Sequence, residues 1–389
     1  MKSQINKKSV QFVSLILVLL FSNSIVFAYP PDNAAVLYYR SAYTYTMDSE
    51  KSDLTNKYIK GEIEINDEIK EYVEGKEHAV KQFIDASKGK YCDWGLDYSQ
   101  GMAMLVPPLA EFRHLARITL AKAKMASEAG NYIEAINLCL SALQFEMHIG
   151  SADMPICTLV GYSTTALAND VLIQILPNIS NDSVSLTWLR DEYSEILSKF
   201  PKMKTSIIKE RNVFSQDIKL RDIDYFLNEF SMVLSQEQID IIKEGGEAFV
   251  NEIMDYYTEH SSKYIAPFDS TYPESYETLV KLEEQPQNEG ENNIYTKIVS
   301  YFVPGGSRLI SAETKSKTYN NAIMTALNLY ISNAQKGKLP DELQGGMPKD
   351  LFSGKDFKYE KTSNGFILKC QGKDLSKDET YEYKFNVKK

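Results

Sequence analysis

The chain has 389 residues, 43% hydrophobic and 25% charged, with a formal net charge of −10. That balance excludes collagen-like, coiled-coil-only and wholly disordered chains, and the length provides for two or three domains, each able to bury a core. All three charges in residues 1–28 are lysines, so removing that segment leaves a chain near −13, which argues against a nucleic-acid or anionic-lipid partner.

The chain opens as a secretory signal. Lys2, Lys7 and Lys8 precede the apolar run Phe12–Phe21, and Val26 and Ala28 give the small-residue pattern of a cleavage site after Ala28. An apolar core of about ten residues is short of the about 20 that span a bilayer, so a mature protein starting at Tyr29 is expected in the periplasm or outside the cell. No cysteine follows the cut to carry a lipid, and no later segment is expected to be long and apolar enough to cross a membrane. Tyr38, Tyr39, Tyr43 and Tyr45 cluster near the mature start, where aromatics seal a helix onto a bundle or furnish an interface.

One constellation of chemistry-bearing residues follows. Asp93, Trp94 and Asp97 lie in a turn-like stretch, and Glu111, Arg113, His114 and Arg117 lie on the next helix, whose Leu109, Phe112, Ala116, Leu120 and Ala123 have core spacing. Arg113 and Arg117 are four apart and share a face. As a site, Asp93 or Asp97 would exchange protons with His114, while Trp94, Arg113 and Arg117 hold an anionic ligand in a hydrolase-type enzyme. As packing, the aspartates pin the loop and the arginines complete a structural network, and this reading is preferred.

From Tyr29 to about residue 300 the apolar spacing is helical. Ser127–Ile149 is the clearest part, with Gly130-Asn131 dividing two helices. Further helices are predicted over Ile156–Ile175, Ser185–Phe200 and Gln236–His260, with Pro177 and Pro201 at their ends. Glu283–Asn293 is polar and acidic and reads as a linker or exposed loop. One more helix, Arg308–Gln335, ends at Gly337-Lys338-Leu339-Pro340. Phe357 and Tyr359, then Phe366, Leu368 and Cys370, then Tyr381, Tyr383, Phe385 and Val387 alternate with polar residues as half-buried strands, with Ser363-Asn364-Gly365 as the first hairpin turn. The expected fold is mostly α, a multi-helix body over 29–300 carrying a C-terminal helix plus antiparallel β-meander over 306–389. That tail should form one compact unit, because the apolar sheet face needs a cover and the helix is the nearest apolar surface.

Other chemistries find little support. His78, His114, His148 and His260 form no metal-binding spacing, and Ser163 lacks the glycine context of a nucleophile elbow. Cys92, Cys139, Cys157 and Cys370 include no CxxC; Cys139 reads as a buried thiol, and the pairing of any disulfide stays open.

Three resemblances rest on these residues. The hairpin around Gly130, with Tyr132, Ala135 and Ala142, resembles one tetratricopeptide-type repeat. The stretch Thr314–Lys369, including Lys338-Leu339-Pro340-Asp341 and Pro348-Lys349-Asp350-Leu351-Phe352-Ser353-Gly354-Lys355, resembles the globular part of type II secretion pseudopilins. That likeness implies a calcium site, for which Asp350 and Asp356 are the candidates; no other cofactor is expected. The whole mature chain, through Asp32–Tyr39, Cys92–Tyr98, Phe112–Arg117, Leu159–Gly161 and the tail, is similar to a group of uncharacterised exported proteins of planctomycete-type bacteria. The expected function is non-enzymatic: an envelope-associated module that binds protein partners, with the Asp/His/Arg hydrolase as the alternative.

Overall fold

Short polar side chains set the helix starts. Asn33, Asp48, Asn66, Asp182, Asp222 and Ser235 each accept a hydrogen bond from a backbone N–H of the following first turn, and Ser235 with Gln238 completes a capping box. A computed structural model describes residues 32–288, 293–302 and 305–388; the expected secretory signal and its expected cleavage site lie outside them. Among the described residues are fourteen α-helices and three strands.

The body begins with α1 (Ala34–Thr44), α2 (Ser49–Ile59), α3 (Asp67–Glu74) and α4 (Glu77–Ser87), followed by a 3-10 turn at Tyr98–Ala103. Next come α5 (Leu109–Glu128), α6 (Tyr132–Gly150), α7 (Pro155–Ile175) and α8 (Ser183–Leu197). Gly130 sits at φ +85° and Asn131 N–H returns to Ala126 C=O at 2.8 Å, so α5 closes in a glycine C-cap and folds back as α6. Helices α6 and α7 bury residues around most of their circumference, which places them at the centre of the stack, packed on each other.

Helix α7 corrects one expectation. Pro155–Ile179, with mean hydropathy 1.3, is long and apolar enough by length and composition to cross a membrane. Its apolar residues Cys157, Ala168, Val171, Leu172 and Ile175 are buried in the main core, and the buried Asn169 Nδ2–H donates to Asn320 at 2.8 Å.

The chain then runs through α9 (Met203–Leu220), α10 (Ile223–Phe230), α11 (Gln236–Ile265), α12 (Tyr272–Asn288) and α13 (Ile294–Phe302). Ile218, Phe226, Phe230, Ile242, Ile253, Met254 and Ile298 form a core of their own here, separate from the main one. Helix α11 breaks at Gly246, φ +63°, where the sequence pattern gives one continuous helix. Glu283–Asn293 is not a loop throughout: α12 continues through Glu283 to Asn288. The reason is tertiary. Glu283 accepts hydrogen bonds from Ser307 N–H (2.8 Å) and Oγ–H (2.7 Å), so it caps the start of α14 (Gly306–Lys336), whose own N-cap residue, Gly305, has no side chain to do so.

Helix α14 and the strands β1 (Lys358–Thr362), β2 (Gly365–Lys369) and β3 (Glu382–Asn386) end the chain. The sheet is antiparallel in the order β1-β2-β3, with Tyr359 opposite Leu368 and Phe366 opposite Phe385. Phe366, Leu368, Tyr383 and Phe385 are buried on one face, under α14: Tyr330 lies edge-on to Phe366 and Tyr319 stacks on Tyr383 at 4.8 Å. Gly365 is obligatory in the hairpin because a Cβ there would collide with the Phe385 carbonyl. The main core runs unbroken from Ala34 to Phe385, since α14 packs on α7, α8 and α12 as well as on the sheet. All four cysteines are free thiols.

Candidate functional site: a buried aromatic cluster and three grooves

The residues singled out in the sequence divide between two places. Trp94 is buried, stacked on Tyr38 at 5.5 Å and tilted against Phe112 at 5.3 Å, and its Nε1–H donates to the His148 carbonyl at 2.6 Å. Tyr38 Oη lies 3.0 Å from His148 Nδ1, and burial pushes the His148 imidazole down to about 4, so it is neutral at ordinary pH. Asp93 is exposed and accepts from Gly95 N–H (2.9 Å) and Tyr91 Oη–H (3.1 Å) in its own turn. Asp97 starts the 3-10 turn, accepting from Ser99 Oγ–H, Ser99 N–H and Gln100, and these bonds hold its carboxyl below the usual range.

His114 faces elsewhere. Its Nδ1 is 2.7 Å from Ser52 Oγ on α2 and its ring stacks on Tyr45. Burial, then Arg117 and Arg113, push its pKa down; Glu111 and Asp53 are the carboxylates that act on it, not Asp93 or Asp97. The arginines are neighbours, as their spacing implies: Arg113 is exposed, and Arg117 is half-buried with Nε unpartnered among the described residues. The structure therefore ties the two aspartates into local turns and sets the His/Arg group against α2. Trp94 serves as packing between them.

Asp350 and Asp356 are also separate. Asp350 is fully buried, and its oxygens accept from Phe352 N–H, Ser353 Oγ–H, Gln371 N–H and Gly372 N–H at 2.7–2.9 Å. Those donors occupy the lone pairs a calcium ion would need, and Asp356 is exposed, linked to Gln371 only through its backbone carbonyl. Among the described residues no group of three or more His, Cys, Asp or Glu side chains is placed to hold a metal. Sequence reasoning missed the twin of this loop: buried Asp374 accepts from Ser376 N–H and Oγ–H, Tyr272 and Tyr381. The repeated Asp-Leu followed by Ser (Asp350-Leu351, Ser353; Asp374-Leu375-Ser376) was the available signal. Also missed was Glu146, fully buried with both carboxyl oxygens unpartnered among the described residues; burial raises its pKa well above the normal carboxyl value.

Concavities among the described residues include three along α1, α4, α6 and α8, beside a smaller one of about 460 Å³ next to Arg221 and Asp222. One, of about 790 Å³, runs along the outer face of α1 and is lined by Val36, Tyr39, Ala42, Tyr43 and Pro108. The second, about 870 Å³, lies where α4, α6 and α8 end, and the third, about 850 Å³, continues from it along the same three helices. No family model matches the chain, and neither a curated protein nor a solved structure matches it.

Proposed function

We propose that the protein is an exported, non-enzymatic module that docks an apolar segment of a protein partner in the α1 groove. The observation that carries this reading is the aromatic surface of that groove. Tyr43 is 94% exposed beside the half-exposed Val36 and Tyr39, and Leu105, 88% exposed, and Val106 precede the groove-lining Pro108. Contiguous apolar exposure of this kind marks interaction surfaces, and tyrosine offers area together with a hydroxyl at low entropy cost. Export is supported by the charged-then-apolar leader, and a place in the envelope by the likeness to exported planctomycete-type proteins. The tetratricopeptide-like hairpin and pseudopilin-like tail belong to the same reading, as helical and α+β modules of extracytoplasmic assemblies.

A photo-crosslinking residue at position 43, introduced into the full chain in its native envelope, tests it. A discrete adduct from position 43 and none from Met232, equally exposed elsewhere, is the expected outcome. Equal adducts from both positions, or none from position 43, would refute the docking role.

A further inference from the structure

A second surface differs from the α1 groove in its chemistry. Helices α4 and α8 each pack on α6, and the two concavities along them share Ser87, Lys88, Gln144, Glu195 and Lys199, so they form one continuous groove. Its two halves are unlike. At one end, four lysines (Lys88, Lys90, Lys199 and Lys202) face two carboxylates, Asp153 and Glu195. At the other, Trp188, Ile133, Leu138 and Ile196 line the wall, and Lys88, Lys122 and Lys199 are matched by Glu134, Glu192 and Glu195.

Three of the four lysines at the cationic end are unspent. Lys88 pairs with Asp85, and Lys122 at the other end pairs with Glu77, whereas Lys90, Lys199 and Lys202 make no ion pair among the described residues. The lining of that end thus carries more lysines than carboxylates in a chain of net charge −10, and a concavity focuses the field of the charges that line it.

We infer that this groove is a second docking surface, and that its occupant is an extended acidic polypeptide segment. Two or three carboxylates of that segment lie between Lys90, Lys199 and Lys202, and an adjoining apolar side chain packs against Trp188 and Leu138. A free anion would use only the lysine end. A nucleic acid or an anionic bilayer presents many charges at once and meets the repulsion of the whole acidic chain, while a short segment meets the local field alone.

The experiment uses the full chain and two short synthetic peptides: one with consecutive glutamates beside leucine and phenylalanine, and one with glutamine in place of each glutamate. Trp188, one of two tryptophans, reports binding by its fluorescence; Trp94 is buried and lines neither concavity, and because it bonds the groove-lining His148 the Trp188→Phe variant separates its contribution. The glutamate peptide is expected to bind at least about tenfold more tightly than the glutamine peptide, and to weaken as salt rises. The double variant Lys199→Glu/Lys202→Glu, altered at exposed positions and checked for folding by circular dichroism, should lose about tenfold, and Trp188→Phe should lose the signal.

Equal affinity for the two peptides, indifference to the lysine reversal, no binding at all, or equal binding of inorganic phosphate would overturn the inference. Tyr43→Ser separates the two surfaces. Unchanged peptide affinity supports a groove distinct from α1, whereas loss of affinity would put the peptide in the α1 groove, refuting this inference and leaving the first reading intact.

Discussion

The C-terminal helix-and-sheet unit and the α9–α13 region present opposite relations between sequence pattern and packing. The first announces itself by a change of period from 3.6 along the helix that starts near Arg308 to 2 from Phe357 on, yet α14 is embedded in the main core, with Ile323, Leu327 and Tyr330 buried in the same cluster as Tyr38 and Leu143. The second carries on the helical pattern of the body with no change of character, yet Phe226, Phe230, Ile253 and Ile298 make a separate core. A change of hydrophobic period reports a change of local backbone geometry. It does not report where one core ends and the next begins, because that depends on which apolar faces meet across hundreds of residues.

The strongest way to break the comparison is in the main core. Cys139→Asp puts an unpaired charge at a fully buried position on α6 and should cost about 4 kcal/mol or more, with α14 and the sheet losing protection together with α6. Denaturant unfolding with amide exchange checks it, and a sheet that stays protected while α6 opens would show the two to be uncoupled. Ile253→Ala, in the second core, should cost about 3 kcal/mol, with faster exchange confined to residues 218–302 and α6 left protected. Uniform acceleration along the chain would merge the two cores into one cooperative unit.

Glu146 sharpens the comparison through pH. Its folded-state pKa lies above that of the unfolded chain, so the folded protein holds this proton more tightly than the unfolded one. Its contribution is therefore fully present below the unfolded carboxyl range and is lost as pH rises toward the folded pKa, at up to about 1.4 kcal/mol per pH unit. Glu146→Gln should flatten the fall in stability between mildly acidic and mildly alkaline pH. Parallel stability profiles for the variant and the native chain would mean that Glu146 is already ionised when folded. The smallest effect is expected at the surface: Tyr43→Ser should change stability by no more than about 0.5 kcal/mol while abolishing the adduct formed from a photo-crosslinking residue at the groove-lining position 36, as measured by thermal melting and by adduct yield.

The predicted site was legible as residues and not as a constellation. His114, Arg113 and Arg117 share a helix, so their adjacency followed from spacing. Asp93 and Asp97 are near them only in sequence: their carboxylates are taken up by residues of their own turns, and the Asp93 backbone N–H donates to Asn33 at the start of α1, while His114 meets α2. The tyrosines clustered at positions 38–45 divide by helical phase: Tyr38 is buried within the aromatic cluster, and Tyr43, five residues on, points to solvent. The lysine end of the α4–α6–α8 groove was invisible for the same reason. Lys90 and Lys202 are more than a hundred positions apart in the chain, and each alone is an ordinary surface lysine.

By itself the sequence determined what depends on neighbours along the chain: the glycine-closed hairpin at Gly130, the ends of α7 and α14, the alternation of β1 to β3 and the turn at Ser363-Asn364. Those follow from steric limits and from periods that a few residues encode. Tertiary structure alone decided that Glu283 caps α14 and not a loop, that an apolar helix such as α7 is a core helix, and that the α9–α13 region has a core separate from the main one. It also decided that Asp350 is spent on backbone N–H groups. Each of these is a contact between distant segments, fixed by which polar group is desolvated beside which, and no local pattern carries that information.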